Sequence, residues 1–195
     1  MSRFLRFVGS HRRSIACLGL LSGAATGCED VRHRTAQSEI VSNDDVAQIQ
    51  PVVHSHSFTM NNIDATRQLA AGIYGVENNR WRWTAGDFSI VLATPRTAPV
   101  RGADLVLTFY IPEAIVSRIG PVTLTADLNQ MKVGMTTYKT AGAQHFSALI
   151  PQDLLTQSPA AIDFHLDRCV RAGVLESREL GFIIESISLE AHENR

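Results

Sequence analysis

The sequence lacks the short motifs that identify several common classes of enzyme. It contains no Gly-x-Ser-x-Gly elbow, no His-Glu-x-x-His helix, no phosphate-binding loop and no dinucleotide-binding fingerprint. Serine hydrolase, zinc protease and nucleotide-dependent chemistry therefore have no support in the sequence. We predict that the protein is not an enzyme and that it uses neither a cofactor nor a metal.

The first 28 residues have the order of a bacterial secretion signal. Four arginines precede the apolar run 15–21, which is too short to cross a bilayer. Residues 21–28, Leu-Ser-Gly-Ala-Ala-Thr-Gly-Cys, resemble a lipoprotein signal, in which the cysteine becomes a lipidated N-terminus after cleavage. We predict a signal peptide over residues 1–27 and a membrane anchor at Cys28. The alternative is ordinary cleavage near Ala24 or Ala25, which would release a secreted or periplasmic soluble protein.

The same resemblance predicts a location in the cell envelope. Glu29 stands where an aspartate after the cysteine is commonly linked to retention in the inner membrane. We therefore expect the outer membrane, with the protein facing the periplasm or the surface, rather than the inner membrane.

Charge and cysteine content limit the partners of the mature chain. The signal carries four of the 18 Lys and Arg residues and none of the 19 Asp and Glu residues, so the mature chain has a formal charge of −5. This charge argues against nucleic acid as a partner. Once Cys17 leaves with the signal and Cys28 is modified, Cys169 remains alone, which excludes an intramolecular disulfide. Cys169 would be a nucleophile only beside a histidine and an orienting acid, and a buried or incidental thiol is commoner.

The mature chain divides into a polar segment and a patterned one. Residues 28–57 have no sustained apolar period and are predicted to form the lipidated N-terminus and a flexible tether. Residues 58–195 are predicted to form one domain, in which short apolar runs of period two alternate with Gly, Pro and Asn. About eight strands are expected, over 69–74, 88–93, 105–111, 122–128, 136–139, 144–150, 162–166 and 182–189.

These strands predict an all-β fold, a two-sheet antiparallel sandwich of jelly-roll type. Two short helical connections are expected at 112–119 and 151–155, since each begins with proline. Asn129-Gln130 is predicted to form a tight turn.

Two segments contain most of the unusual residues. Residues 72–84 read Gly-Ile-Tyr-Gly-Val-Glu-Asn-Asn-Arg-Trp-Arg-Trp-Thr, and residues 176–181 read Glu-Ser-Arg-Glu-Leu-Gly. Together they resemble uncharacterised β-sandwich domains of bacterial envelope proteins, also found beside some glycosyltransferases. Those domains show Gly-x-Tyr/Phe-x-x-Glu before Arg-Trp, then Asp-x-Arg-x-Leu-Gly. The resemblance covers residues 67–190 and implies a shape similar to carbohydrate-binding modules. Glu176 and Gln130 depart from the pattern, which commonly has Asp and Gly at these positions.

The loop between these motif residues suits sugar binding. A tryptophan offers a flat apolar face for a pyranose ring, and neighbouring Arg, Asn and Glu side chains can bond its hydroxyls. The predicted ligand-binding residues are Tyr74, Glu77, Asn79, Arg80, Trp81, Trp83 and Arg178. The alternative for the two tryptophans is core packing, because residues two apart share one face of a strand, with Arg82 facing the other way.

Other candidate residues have simpler structural interpretations. Arg178 is expected to pair with Glu77 or Glu176 and to hold the loops at one end of the sandwich. Asp163-x-His165-x-Asp167 could contribute ligands for a divalent cation, but alternation with Ile162, Phe164 and Leu166 favours a solvated outer face.

The sequence thus predicts a non-catalytic, lipid-anchored envelope protein whose β-sandwich binds glycan. The alternative is an adaptor that docks another envelope protein through a sheet face or an edge strand. A glycoside hydrolase is less favoured, because it would need Glu77 and Glu176 to face each other across a cleft.

Overall fold

The computed structural model describes residues 53–193. The predictions of a signal peptide, of a lipidated Cys28 and of most of the tether lie outside the described residues. Within the described range there are nine β-strands: β1 (Ser57–Thr59), β2 (Leu69–Glu77), β3 (Trp81–Leu92), β4 (Ala103–Ile111), β5 (Val122–Leu128), β6 (Met131–Tyr138), β7 (Gly142–Ile150), β8 (Ala160–Leu166) and β9 (Ile183–Ala191).

All strand pairs are antiparallel, which confirms the prediction of an all-β fold. The strand order is β6-β5-β8-β3-β9-β4-β7, with β2 paired to β3 and β1 paired to β9. The two end strands approach each other, because a Cβ added at Gly134 of β6 would lie only 2.7 Å from the Phe146 ring of β7. The sheet is therefore nearly closed. The two-sheet jelly-roll arrangement stays a prediction.

The core follows from the period-two pattern of the strands. Every second residue is buried in β5 and in β8, and the residues between them face outward. Phe109 stacks on Phe182 with ring centroids 4.8 Å apart, and Phe88 stacks on Phe164 at the same distance. Burying such a side chain contributes about 1.5–3 kcal/mol, so these alternating positions account for much of the driving force for folding.

The eight predicted strands all have counterparts, and β1 is the strand that the sequence analysis missed. It has three residues, of which only Phe58 is buried, so it carries no detectable period. It also begins inside the predicted tether. The Ser55 carbonyl accepts a bond from the Ala93 amide, and the His56 carbonyl accepts one from Leu189. Backbone bonds to the domain thus begin a few residues before position 58.

The helical segments are short. The predicted helix at 112–119 is confirmed as α2 (Glu113–Ile119), and the segment at 151–155 contains a 3₁₀ helix, Gln152–Leu154. The sequence analysis missed α1 (Ala98–Arg101) and a 3₁₀ helix at Asp64–Gln68. None of the helices between residues 53 and 193 has the length and apolar character needed to span a membrane.

The β5–β6 hairpin confirms the predicted tight turn. Leu128 pairs with Met131, and the two residues between them have positive φ angles, 53° at Asn129 and 64° at Gln130. This backbone belongs to a type I′ turn, whose twist matches that of the strands. The left-handed conformation suits Asn but is strained for Gln.

Candidate functional site

The predicted ligand-binding residues lie on two connected parts of the fold. Six of them belong to the hairpin formed by β2 and β3, and Arg178 belongs to the loop that precedes β9. Their contacts assign them three different roles: some build the turn, some fasten the loops and some line an open groove.

The β2–β3 turn explains the Asn pair. The Arg80 amide donates to the Glu77 carbonyl at 3.0 Å, and φ is 49° at Asn78 and 52° at Asn79. Asn is the non-glycine residue that most readily adopts this backbone. Asn79 therefore has a structural role in the turn, whose geometry sets where Arg80 and Trp81 emerge.

Trp81 lines an open groove on the outer surface of the sheet. The groove has a volume of about 370 Å³ and is formed by Arg80, Trp81, Tyr110, Ile183 and Glu185. Trp81 is half-buried, and Tyr110 is 43% exposed. Two aromatic side chains and one aliphatic side chain thus line the groove, together with one cation and one anion.

Strand pairing explains how the groove forms. Ile183 of β9 pairs with Tyr110 of β4 on one side and with Trp83 of β3 on the other. The outward-facing residues of three strands that are distant in sequence therefore form one continuous surface.

An irregularity in β9 places Glu185 in this groove. The register shifts between Thr108, which pairs with Ser186, and Phe109, which pairs with Ile184, so Glu185 has no partner on β4. Glu185 and Ser186 are consequently both partly exposed, although strict alternation would bury one of them. An extra residue of this kind is a β-bulge, a feature that commonly re-aims a side chain.

The two tryptophans share a face, as predicted, but differ in their surroundings. Trp83 packs against the hydrophobic core, whereas Trp81 lines the groove. Core packing thus describes Trp83 better than Trp81.

Arg82, between them, faces the interior and is only 7% exposed. Its guanidinium donates to the Met60 carbonyl at 2.8 Å, to the Tyr74 carbonyl at 3.2 Å and to Thr66 Oγ1 at 3.2 Å. Burial lowers the pKa of Arg82. These three bonds connect β3 to β2 and to the segment that follows β1. They therefore stabilise the β2–β3 hairpin on its interior side.

Arg178 fastens the hairpin to the loop before β9. It donates to Glu77 at 2.8 Å and also to Glu176, and its guanidinium carbon lies 5.0 Å from the centre of the Tyr74 ring. The expected pairing is confirmed with both carboxylates. Hydrogen bonding from Arg178 lowers the pKa of Glu176, and the bonds to Glu176 and Glu77 raise the pKa of Arg178. Arg178 therefore contacts both Tyr74 and Glu77, and none of these three residues lines the groove.

The glycines of the two motifs permit close backbone contact. Gly72 has a φ of 66°, and a Cβ there would lie 1.9 Å from the Asp87 carbonyl. A Cβ at Gly181 would lie 2.6 Å from both the Ala85 carbonyl and Thr84 Oγ1. The motif residues thus hold β2 and the final loop against β3, a structural role.

Asp163, His165 and Asp167 are exposed, which confirms the solvated outer face. His165 bonds to Asp87, and Ser89 bonds to Asp163 across the β3–β8 pair. Among residues 53–193, no three His, Cys, Asp or Glu side chains are arranged to hold a metal ion.

Cys169 is half-buried beside Glu179. Burial, followed by the hydrogen bond and the negative charge of Glu179, raises the pKa of Cys169 to about 11. A nucleophilic cysteine needs the opposite shift, so this environment suits an incidental thiol.

Three groove residues were missing from the predicted set: Tyr110, Ile183 and Glu185. The sequence could have identified Tyr110, because it is an aromatic residue on the outward-facing side of β4, where solvent-facing positions are usually polar. No local pattern could have identified Ile183 and Glu185, because they line the groove only through the pairing of β9 with strands that are distant in sequence.

Comparisons with known proteins do not assign the chain to a family. No protein-family model and no curated protein sequence matches it. Solved structures with some similarity include an acetyl xylan esterase from the rumen bacterium Butyrivibrio proteoclasticus, with a TM-score of 0.42 and 7% identity. That similarity covers 73% of this chain but only 35% of the esterase. A carbohydrate-binding module with specific mannan recognition, TmCBM27, has a TM-score of 0.44 and 13% identity over 72% of this chain and 98% of the module. At these TM-scores the resemblance named above stays a prediction.

Proposed function

We propose that this protein is a glycan-binding component of the bacterial cell envelope and that the groove beside Trp81 holds the sugar. The observation that carries the proposal is the joint exposure of Trp81 and Tyr110 around Ile183, with Arg80 and Glu185 at the border. The β-sandwich of jelly-roll type is part of the same proposal, as the scaffold that presents this surface.

The groove has the chemistry that a sugar ring requires. The C–H face of a pyranose is apolar and packs on an aromatic ring, while its hydroxyls need donors and acceptors at the periphery. Trp81 and Tyr110 supply the aromatic surface, Arg80 supplies donors and Glu185 supplies acceptors. The groove is open, which suits a side chain or an internal stretch of a polysaccharide.

We propose a non-catalytic role. A glycosidase needs one carboxyl group with a raised pKa as general acid and a second carboxylate facing it. Here Glu77 and Glu176 both bind Arg178, and the pKa of Glu176 is lowered. This arrangement favours the ionised form of Glu176 at neutral pH and a structural use of both groups.

The anchor completes the proposal. Lipidation of Cys28 would tether the domain to the outer membrane, where it would meet envelope or external glycans. Metabolic labelling with a radioactive fatty acid tests this part directly. We expect label on the wild-type chain and none on Cys28→Ser, whereas equal labelling of the two would contradict lipidation at Cys28.

Fluorescence can test the binding claim, because Trp81 and Trp83 are the only tryptophans in the chain. The full chain in detergent is titrated with soluble glucan, xylan, mannan, an N-acetylglucosamine polymer and polygalacturonate. We expect a saturable shift that Trp81→Ala abolishes. Leu149→Ala removes an exposed apolar side chain from β7, outside the groove, and serves as control. No shift with any polymer would refute glycan binding.

The second candidate is docking of another envelope protein. Met131 and Met135 favour it, since both are exposed on β6 at one end of the sheet, at 57% and 61%. Methionine side chains adapt to varied apolar partners. Under this alternative the polymers leave the fluorescence unchanged, and Met135→Glu abolishes crosslinking of the chain to an envelope protein.

A further inference from the structure

A second cavity adjoins the Trp81 groove. It has a volume of about 260 Å³ and is lined by Thr59, Asn61, Arg80, Glu185 and Ser186. Arg80 and Glu185 line both cavities. The two spaces therefore meet at this pair, one of them bordered by aromatic rings and the other by hydroxyl and amide groups.

The topology produces this second cavity. β3 pairs with β9 only at Arg82 and Trp83 and then continues along β8. β1 takes the vacated place beside β9, with Thr59 opposite Ser186. The Met60 amide donates to the Glu185 carbonyl at 2.8 Å, which fixes the bulge against the end of β1. The polar cavity thus lies at the point along β9 where its neighbour changes from β3 to β1.

The pair at the junction carries no net charge. Arg80 and Glu185 are 3.7 Å apart, and their side chains are 70% and 34% exposed. A contact this long and exposed leaves donors on the guanidinium and acceptors on the carboxylate. One hydroxyl of a neutral sugar can accept a hydrogen bond from the Arg80 guanidinium while an adjacent hydroxyl donates one to the Glu185 carboxylate. A uronic acid would bring its carboxylate close to Glu185 as well as to Arg80, so repulsion by the glutamate would offset attraction by the arginine.

Asn61 offers a further polar contact. Its side-chain oxygen accepts a bond from Thr59 Oγ1 at 2.7 Å, which orients the amide. The NH₂ group then faces away from Thr59 and can donate to a ligand.

From these observations we infer that the site has two subsites and binds a neutral oligosaccharide of at least two sugar units. One unit stacks in the groove of Trp81 and Tyr110, the next occupies the cavity of Thr59 and Asn61, and the Arg80–Glu185 pair binds both across the junction. This inference rests on the proposed function and specifies its ligand class.

Chain length is the first experimental variable. Oligomers of one to four units of glucose, xylose, mannose and N-acetylglucosamine are titrated against the full chain in detergent. For whichever sugar binds, we expect the disaccharide to bind roughly tenfold more tightly than the monosaccharide, because the second subsite adds hydrogen bonds. Asn61→Ala should weaken disaccharide binding about fivefold. Gln157→Ala, an exposed amide outside both cavities, is the matched control.

Charge is the second variable. Oligogalacturonides of the same lengths should bind roughly fivefold more weakly than the neutral series, because Glu185 repels the added carboxylate, and Glu185→Gln should reduce that difference in affinity. Tighter binding of the oligogalacturonides by the wild type would overturn the neutral assignment.

The outcomes separate the two proposals. If a monosaccharide binds as tightly as longer oligomers and Asn61→Ala has no effect, the two-subsite inference fails while glycan binding at Trp81 stands. If no probe gives a shift that depends on Trp81, the proposed function and this inference fail together.

Discussion

Replacing Arg82 with methionine should destabilise the domain more than any change at an exposed arginine. Methionine keeps most of the apolar volume but removes all three hydrogen bonds that the guanidinium makes. The Met60 carbonyl is left buried without its donor, and the Tyr74 carbonyl is left partly buried. An unsatisfied buried acceptor costs about 1–3 kcal/mol, so we expect a loss of roughly 2–4 kcal/mol in the free energy of unfolding.

Urea denaturation followed by circular dichroism measures this loss. A decrease in the midpoint at constant slope would show a change in stability alone. Arg96→Met serves as control, because Arg96 is exposed, and it should change stability by less than about 0.5 kcal/mol. If Arg82→Met shifted the midpoint no more than Arg96→Met, the interior hydrogen bonds of Arg82 would make no measurable contribution to stability.

Three further predictions concern the turn, the thiol and the ion pair. Gln130→Gly should stabilise the domain by roughly 1 kcal/mol, because glycine adopts the positive φ of this turn without strain, and a thermal melt would show it as a Tm increase of a few degrees. Cys169, with a pKa of about 11, should react with iodoacetamide at pH ~8 at least a hundredfold more slowly than a free cysteine, as peptide mass spectrometry can follow, and Glu179→Gln should speed the reaction by removing the adjacent charge. A rate equal to that of free cysteine would contradict the burial of this thiol. Because the pKa of folded Glu176 is lowered, its bond with Arg178 stabilises the fold above the unfolded pKa of about 4.3 and is lost as the pH falls through the lower, folded value. Glu176→Gln should therefore be less stable than wild type near pH ~7, and this difference in stability should shrink as the pH falls below about 4. A difference independent of pH would exclude this linkage.

Local pattern made several features predictable. Period-two alternation locates strands because successive side chains point to opposite faces, whatever the strand pairs with. The same rule placed Trp81 and Trp83 on one face and Arg82 on the other. It did not show which face was interior. The interior face proved to be that of Arg82, whose guanidinium donates there to the Met60 and Tyr74 carbonyls and to the Thr66 hydroxyl.

The sequence by itself determined the approximate positions of eight of the nine described strands, the turn at Asn129-Gln130, and the composition of the hairpin that carries Trp81. Only the tertiary structure decided what surrounds Trp81. Tyr110 and Glu185 reach it because β9 inserts between β3 and β4, and the bulge that re-aims Glu185 arises from the register of that pairing. Register between strands that are distant in sequence depends on which face of each strand the whole chain buries, so neither strand alone shows which residues will lie opposite each other.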